Sequence, residues 1–338
     1  MTRFSSALVL AVSGLFGVCA HAADPRPMIH INVSGAEFNA KLLPGRPGYD
    51  YMFPSATYLD QWQAKGIKIV RVPLTWERLQ PALDGPLDPT YAALIDTLLT
   101  QAQSRQMTVL LDIHNYGVYR KQPIGSADVP YTAYEKFLSL VAERWQGNAG
   151  LHGYDIMNEP NGPADANWPS AAQAGIRGVR AYDKVKPVYV EGRSWSSASQ
   201  WAKNNDALLA LQDPSNNLIF SAHLYLDSDA SGTYKSEPGA NFDPDIGVKR
   251  AKPFVDWLVQ NGKKGHIGEF GIPGNDPQWA EAGTRLLTYL SANCVPLAYW
   301  AAGSFWGSYS LSVEPKAGVE KPQWAMLAPF VKTNSNCQ

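Results

Sequence analysis

Apolar, β-branched runs recur along the chain at a regular interval, and this repeat constrains the fold more than any other feature. We place the ends of eight such strands at Val33, Val72, Asp112, Met157, Glu191, His223, Ile267 and Tyr299. Each interval has room for one strand and one helix, since a βα unit needs roughly 30 residues or more. Apolar residues at helical spacing predict helices over 89–105, 253–260 and 280–292. Eight βα units predict an α/β fold, the (β/α)8 TIM barrel.

The first 22 residues have the pattern of a secretory signal peptide. Arg3 supplies the positive start, residues 7–18 are apolar, and Ala20-His21-Ala22 is an A-x-A cleavage site. We expect segment 1–22 to be removed and residues 23–338 to form a single (β/α)8 catalytic domain. The protein would then be exported to the periplasm or the medium. A lipid anchor at Cys19 is a weaker alternative, because Val18 is a poor residue before a lipidated cysteine.

Composition excludes several classes of protein. Of 338 residues, 45% are hydrophobic and 17% charged, which excludes a disordered chain. The formal net charge of −1, from scattered charges, predicts neither nucleic acid nor an acidic membrane surface as a partner. Eleven Trp and 16 Tyr residues favour a carbohydrate ligand, because aromatic planes stack on sugar faces.

Removal of the signal segment leaves two cysteines, Cys294 and Cys337. In an oxidising compartment this pair favours one disulfide, although two free buried thiols are the alternative. The cysteines lack the C-x-x-C or Cys/His spacing of a zinc site.

Two glutamates each follow an apolar run, in Asn158-Glu159-Pro160 and in Gly268-Glu269-Phe270. The carboxyl ends of barrel strands meet at one mouth, so we expect these two carboxylates to share a cleft. Two such carboxylates suffice to cleave a glycosidic bond: one protonates the leaving oxygen, and the other attacks the anomeric carbon or activates water. We assign Glu159 as the acid/base and Glu269 as the nucleophile.

Other polar and aromatic residues lie at or near the same strand ends. The predicted substrate-binding or supporting residues are Arg71, His114, Asn115, Asn158, His223, Tyr225 and Trp300. Tryptophans in the loops after other strands are predicted sugar platforms, namely Trp76, Trp168, Trp195 and Trp306. The segment 227–232 resembles the start of a calcium loop, but Glu237 stands one position too early, so we interpret it as a turn and predict no metal site.

These residues resemble glycoside hydrolase family 5, the cellulase family, over nearly the whole mature chain. The resemblance implies a retaining (β/α)8 enzyme, in which Arg71, His114, Asn158, Glu159, His223, Tyr225, Glu269 and Trp300 match the family pattern. The segment 223–233 is similar to the endo-β-1,4-glucanase subfamily that includes fungal cellulases. One position departs from that subfamily: Asn161 stands where histidine is usual after Asn-Glu-Pro, which puts preference on the leaving-group side in doubt.

The leading interpretation is an exported retaining endo-glycosidase that hydrolyses β-1,4-glucan. Alternatives are a hydrolase or transglycosylase of another β-glycan, such as an exopolysaccharide or xyloglucan, and a catalytically silent carbohydrate-binding barrel. We expect a monomer whose partner is its polysaccharide substrate, with no cofactor, because glutamates would supply both the nucleophile and the proton transfers.

Overall fold

The computed structural model describes residues 27–332 and residue 337, so the predicted signal segment lies outside the described residues. Eight parallel strands form a closed barrel. In chain order its strands are β1 (Ile29–Val33), β2 (Ile69–Leu74), β3 (Thr108–Ile113), β6 (Leu151–Asp155), β7 (Val188–Glu191), β8 (Leu218–His223), β9 (Lys264–Phe270) and β10 (Leu297–Ala302). A short hairpin of β4 (Val118–Tyr119) and β5 (Gln122–Pro123) follows β3. The barrel closes where β10 pairs with β1, which confirms the predicted (β/α)8 fold.

Helices flank the barrel and bury one face each against it. They are α1 (Ala56–Ala64), α2 (Trp76–Leu79), α3 (Pro89–Gln103), α4 (Tyr131–Trp145), α5 (Trp168–Tyr182), α6 (Trp201–Asn204), α7 (Ile246–Asn261), α8 (Pro277–Ala292) and α9 (Pro322–Leu327). Single 3-10 turns lie at Gly162–Ala164, Ala198–Gln200, Asp206–Ala210 and Ala328–Phe330.

The helices predicted at 89–105 and 280–292 correspond to α3 and α8. Asp88 caps α3 by accepting the backbone N–H of Tyr91 at 2.7 Å, and Asp276 caps α8 by accepting that of Gln278 at 2.8 Å. Helix α8 begins three residues earlier than predicted, at Pro277, because the fixed φ of proline suits the first turn of a helix.

The prediction that a helix starts at Pro253 is wrong, because α7 begins at Ile246 and runs through this proline. Proline lacks an N–H, so the carbonyl of Lys249, four residues earlier, loses its helical partner. Lys249 is exposed, and solvent can satisfy that carbonyl.

The predicted strand ends agree with the structure to within three residues. The largest differences are at Ile267, where β9 continues to Phe270, and at Tyr299, where β10 continues to Ala302. Strand β9 continues past Gly268 and Glu269 because its residues still pair with both neighbours: Glu269 with His223, and Phe270 with Tyr299.

The predicted disulfide is present. Cys294 follows α8 and Cys337 lies in the C-terminal segment; their Cα atoms are 5.3 Å apart and 43 positions separate them in the chain. The bond therefore ties the C-terminal segment to the end of α8, beside the start of the last barrel strand. Within the described residues, none of the helices combines the length and the apolar composition needed to cross a bilayer.

Candidate active site

Polar and aromatic side chains from all eight barrel strands meet at the carboxyl-terminal mouth, which is the usual location of active sites in this fold. They are Asn32, Arg71, Asp112, His114, Asp155, Asn158, Glu159, Glu191, His223, Tyr225, Glu269 and Trp300. Strand register brings several into adjacent rows, because Asp112 pairs with Asp155, and His223 pairs with Glu269.

Arg71 lies at the centre of this group and is fully buried. Its guanidinium contacts oxygens from five strands or strand ends besides its own: Asp155 Oδ2 at 2.8 Å, Asn158 Oδ1 at 2.8 Å, Asn32 Oδ1 at 2.9 Å, Glu191 Oε1 at 2.9 Å, Asp112 Oδ2 at 3.0 Å and Glu269 Oε1 at 3.3 Å. Burial alone would lower the pKa of Arg71, but four carboxylates outweigh it and hold the pKa well above its ordinary value. Arg71 is therefore a permanent cation that fixes the carboxylates around it.

The two glutamates singled out in the sequence face each other across His223. One oxygen of Glu159, one oxygen of Glu269 and a ring nitrogen of His223 all lie within 4.8 Å of one another. His223 Nδ1 is 2.6 Å from Glu159 Oε1 and 3.6 Å from Glu269 Oε2. The two carboxylates therefore border the same small volume, large enough for one reacting bond.

His223 carries a charge that balances the carboxylates. Its second nitrogen, Nε2, lies 2.9 Å from Glu191 Oε1. Burial would lower the pKa of His223, but Glu191, Glu269 and Glu159 together raise it well above its ordinary value. The ring is therefore an imidazolium that donates from both nitrogens.

Glu269 is surrounded by groups that only donate to it. Tyr225 donates its hydroxyl to Oε2 at 2.7 Å, and Arg71 Nη1 lies 3.3 Å from Oε1. The adjacent Gly268 has no side chain and so leaves room for Ser221 and His223. A Cβ at this position would meet Ser221 Oγ at 2.6 Å and His223 Nε2 at 2.9 Å. These donors fix the orientation of the Glu269 carboxylate at the mouth.

His114 and Trp300 form one wall of the site. The ring of His114 stacks on Trp300 with centroids 5.7 Å apart and an interplanar angle of 10°. His114 Nδ1 lies 2.7 Å from Asp112 Oδ2, and the pKa of His114 is raised because Asp112 and Glu269 outweigh the effect of burial. Tyr116, which sequence reasoning missed, packs edge-on against His114 at 5.4 Å and is 42% exposed.

The backbone at Glu159 is in a rare conformation. Its φ of +44° lies in the left-handed region, which non-glycine residues seldom adopt. The backbone N–H of Glu159 donates to Glu191 Oε2 at 2.7 Å, and its carbonyl accepts from Asn161 Nδ2 at 2.9 Å. Surrounding contacts therefore hold the strained residue through both its N–H and its carbonyl.

Asn115, predicted as a substrate-binding or supporting residue, is occupied by the protein itself. Its Oδ1 accepts the backbone N–H of Trp76 at 2.8 Å, and its Nδ2 donates to Glu77 at 2.7 Å and to the carbonyl of Val118 at 3.2 Å. It is 6% exposed. Asn115 therefore supports the loops after β2 and β3, and both N–H groups of its amide are used within the protein.

The predicted sugar platforms divide into two groups. Trp76 and Trp168 begin α2 and α5, and both are buried, at 0% and 1% exposed. Trp76 packs against Phe137 at 4.7 Å, and Trp168 donates its indole N–H to the carbonyl of Glu191 at 2.7 Å. The prediction is wrong for these two, because neither ring presents a face to the mouth.

Trp195 and Trp306 lie nearer the cleft. Trp195 is 56% exposed and borders a cleft of about 450 Å³, together with Glu159, His223 and Tyr225. Trp306 is half-buried, stacks on Tyr309 at 4.3 Å and packs edge-on against Trp300 at 5.8 Å. Their service as sugar platforms stays a prediction.

Four further residues of the site were not identified as such from the sequence: Asn32, Asp112, Asp155 and Glu191. All four are fully buried polar side chains within or at the end of parallel strands. Such strands are normally apolar throughout, because both faces are covered. A polar or charged residue inside an apolar run is therefore the signal that could have found them.

The segment 227–232 is a turn that satisfies its own carboxylate, as interpreted from the sequence. Asp227 accepts from the backbone N–H of Gly232 at 3.0 Å and of Tyr234 at 3.2 Å, and from the Ser231 hydroxyl at 3.0 Å. Among the described residues, one set has metal-ligand spacing: Glu159, His223 and Glu269. Both nitrogens of His223 already face carboxylates, so the imidazolium supplies there the positive charge that a cation would bring.

Comparison with known proteins identifies the family of the chain. The cellulase family, glycosyl hydrolase family 5, matches residues 31–305 of the chain. A probable endo-β-1,4-glucanase B of Neosartorya fischeri is 34% identical over 323 residues, covering 94% of this chain and 95% of the relative.

Solved structures of endoglucanases are also similar to this chain. The endoglucanase Cel5A of Pseudomonas stutzeri, in complex with cellobiose, is 42% identical with a TM-score of 0.88, covering 91% of this chain and 93% of that chain. An endo-β-1,4-glucanase of Xanthomonas axonopodis pv. citri is 33% identical with a TM-score of 0.85, covering 90% of this chain and 98% of that chain. The chain belongs to glycosyl hydrolase family 5, the cellulase family, and it is a glycoside hydrolase.

Proposed function

We propose that the protein is an exported endo-glycosidase that hydrolyses β-1,4-glucan with retention of anomeric configuration. The observation that carries the mechanism is the approach of Glu159 and Glu269 oxygens to within 4.8 Å of each other. Retaining enzymes hold their two carboxyl groups about 5–5.5 Å apart, whereas inverting enzymes need about 6.5–9.5 Å to admit a water molecule.

The surroundings of the two carboxylates support different roles. Arg71 and Tyr225 donate to Glu269 and hold its carboxylate in place, so we assign Glu269 as the group that attacks the anomeric carbon. Glu159 accepts from His223 Nδ1 and borders the open cleft, where a leaving oxygen can approach it. Glu159 is therefore the acid/base.

The reaction has two displacements. In the first, a Glu269 oxygen bonds to the anomeric carbon while the bond to the leaving oxygen breaks, and that oxygen takes the proton of Glu159. In the second, Glu159 takes a proton from water, and the water oxygen bonds to the anomeric carbon and displaces Glu269. The product keeps the configuration of the substrate, and Glu159 is protonated again.

The substrate class follows from the relatives together with the cleft. The relatives are endo-β-1,4-glucanases, and one was solved with cellobiose. Trp195 borders a cleft of about 450 Å³ beside Glu159, and Trp300 stacks on His114 in another part of the mouth, so both aromatic residues are candidates to contact the sugar chain. A disulfide between Cys294 and Cys337 supports an oxidising compartment, and hence export.

One observation favours a second candidate, a hydrolase or transglycosylase of a related β-glycan. Asn161, which replaces the histidine usual in the subfamily, turns its amide onto the carbonyl of Glu159 at 2.9 Å. A side chain held in this way does not reach toward the leaving-group sugar as a longer imidazole would, so recognition on that side differs from that of the subfamily.

A panel of polysaccharides tests the function. With carboxymethylcellulose and mixed-linkage β-glucan, we expect viscosity to fall faster than reducing ends appear, with activity unchanged by EDTA. Efficient cleavage of xylan or mannan without cleavage of β-glucans would overturn the substrate assignment. Glycan retention without hydrolysis of any aryl β-cellobioside would identify a silent binding barrel instead.

A further inference from the structure

We propose that Glu191 is a positioning residue for the acid/base, holding both the main chain of Glu159 and the imidazolium of His223 in place. The inference rests on the proposed function, because it assigns Glu191 to the acid/base half of that mechanism. Glu191 ends β7 and is fully buried, so it does not reach the substrate.

The first contact fixes the main chain. Glu191 Oε2 accepts the backbone N–H of Glu159 at 2.7 Å, and Glu159 has a left-handed φ of +44°. A non-glycine residue persists in that region only where its surroundings impose it. Glu191 supplies this restraint on the N–H side and Asn161 on the carbonyl side, so the Glu159 side chain starts from a fixed point.

The second contact fixes a proton. Glu191 Oε1 lies 2.9 Å from His223 Nε2, while Nδ1 of the same ring lies 2.6 Å from Glu159 Oε1. An ionised carboxylate at Nε2 keeps a proton on that nitrogen, so Nδ1 is the nitrogen that shares a hydrogen with Glu159. Burial lowers the pKa of His223, and Glu191 is the largest of the influences that raise it.

In these two contacts, each oxygen of the Glu191 carboxylate accepts from a different donor. The amide of a glutamine at this position could not accept from both donors. A glutamine at position 191 has one acceptor oxygen and one donor NH2 group. One orientation would turn the NH2 group toward the N–H of Glu159, and the other would turn it toward Arg71 Nη2 and His223 Nε2. Either orientation opposes donor with donor and removes the charge that sustains the imidazolium.

Asp155 offers a matched comparison. It is also fully buried, ends the neighbouring strand β6, and contacts the same guanidinium, with Arg71 Nε at 2.8 Å. Its described contacts reach neither Glu159 nor His223. Asp155→Asn therefore changes a carboxyl partner of Arg71 without touching the acid/base, whereas Glu191→Gln affects both.

The test is a series of aryl β-cellobiosides whose leaving groups differ in pKa, together with the polysaccharide that the wild type cleaves. For Glu191→Gln we expect kcat/KM to fall by about tenfold with the most activated aglycone and by roughly 10²- to 10³-fold with the poorest. Azide should stimulate turnover of the activated substrate, because an anionic nucleophile needs no base. We expect any loss in Asp155→Asn to be the same for every leaving group and insensitive to azide.

A uniform loss across the series in Glu191→Gln, without azide stimulation, would overturn the proposal and leave Glu191 a structural residue. Thermal unfolding and circular dichroism establish that each variant is folded. If Glu191→Gln does not fold, Glu191→Asp, which keeps the charge but shortens the reach, should show the same dependence on leaving group to a smaller degree.

A measurement on the unaltered protein is independent of activity. In 15N-histidine-labelled protein, we expect both nitrogens of His223 to be protonated at pH 7. A neutral His223, or an Nε2 without a proton, would contradict the contact with an ionised Glu191. If the wild type cleaves no β-glycoside at all, the proposed function fails, while this spectrum still decides whether Glu191 holds His223.

Discussion

Both mouths of the barrel contain buried histidines, but the histidine pKa values are raised at one mouth and lowered at the other. At the carboxyl-terminal mouth, His114 and His223 face carboxylates, and the pKa of each is raised although both rings are buried. At the amino-terminal mouth, His30, His152 and His266 lie together, with His30 stacked on His266 at 5.1 Å and edge-on to His152 at 6.2 Å. Burial lowers the pKa of His30 to about 3 and that of His152 to about 4, and that of His266 lies well below its ordinary value.

The difference between the mouths is their carboxylates. None of the described residues that line the amino-terminal cavity, of about 210 Å³, is acidic, and Lys264 is among them. Without an anion, desolvation decides the state of a buried histidine, and the ring is neutral. The carboxylates gathered around Arg71, and not the histidines themselves, therefore distinguish the carboxyl-terminal mouth from the amino-terminal one.

Removing the proposed nucleophile should have the largest effect of any change at the carboxyl-terminal mouth. For Glu269→Gln we expect kcat to fall by roughly 10⁴-fold or more on every substrate, because no carboxylate remains to attack carbon. Steady-state rates on glucan and on dinitrophenyl β-cellobioside measure the loss. Glu281→Gln, a matched change at an exposed glutamate of α8, should leave both rates unchanged. A loss of less than about tenfold would place the nucleophile elsewhere.

Removing the acid/base separates substrates by their leaving groups. For Glu159→Ala we expect a loss of about 10²- to 10⁴-fold on glucan and a much smaller one on dinitrophenyl β-cellobioside, which needs no protonation. Azide should restore turnover of the activated substrate and yield a β-glycosyl azide, identified by NMR. Equal losses on both substrates without azide rescue would contradict the assignment of Glu159.

The histidines at the amino-terminal mouth should affect the pH dependence of stability and not the activity. Its histidines have folded-state pKa values below the ordinary 6.5, so the unfolded chain binds more protons as pH falls from 6.5 toward 4. Each such histidine should lower the free energy of unfolding by up to about 1.4 kcal/mol per pH unit in this window.

His30→Phe keeps an aromatic ring and removes one of these titrations. We expect its thermal midpoint to exceed that of the wild type increasingly as pH falls below 6.5, with activity unaffected. The difference measured at pH 8, where histidines are neutral in both states, serves as the packing control. A difference that stays constant with pH would show that His30 is not buried neutral.

His223 should act in the opposite direction. Its folded-state pKa is raised, so its contribution to stability is fully present below pH 6.5 and is lost as pH rises through the folded pKa. Unfolding free energies measured from pH 6.5 upward should therefore decline in the wild type, and this decline should be smaller in Glu191→Gln.

The smallest expected effect concerns Trp195, on the rim of the carboxyl-terminal mouth. Residues 194–196 all have a left-handed φ, of 55°, 56° and 52°, and they present a Trp195 ring that is 56% exposed. For Trp195→Ala we expect KM for cello-oligosaccharides to rise by about three- to tenfold with little change in stability, because stacking on one exposed ring is worth about 1 kcal/mol. Trp195→Tyr keeps an aromatic plane and should lie between the two. An unchanged KM in Trp195→Ala would remove Trp195 from the binding surface.

The sequence predicts the barrel and the position of most of the site, for one physical reason. Parallel strands all end at the same mouth, so an error of three residues at the end of β9 does not move Glu269 away from Glu159. The disulfide between Cys294 and Cys337 was predictable by counting, because these two cysteines remain when the predicted signal segment is set aside.

The rest required the closed barrel. Trp76 and Trp168 stand at loop positions in the sequence, yet the short helix α2 and the start of α5 turn them into the core. His30, His152 and His266 belong to β1, β6 and β9, and only barrel closure brings these strands around one axis. The sequence predicts Glu191 as the end of a strand, but its three side-chain contacts depend on residues at three other strands.

Covalent trapping shows whether Glu269 at the carboxyl-terminal mouth performs a retaining displacement assisted by Glu159. A 2-deoxy-2-fluoro-β-cellobioside with a dinitrophenyl leaving group slows the second displacement more than the first, so a glycosyl-enzyme should accumulate. We expect peptide mass spectrometry to find one fluorocellobiosyl group, attached to Glu269, and expect the label to be absent from Glu269→Gln. A label on another residue, or turnover that inverts configuration without any label, would contradict the account.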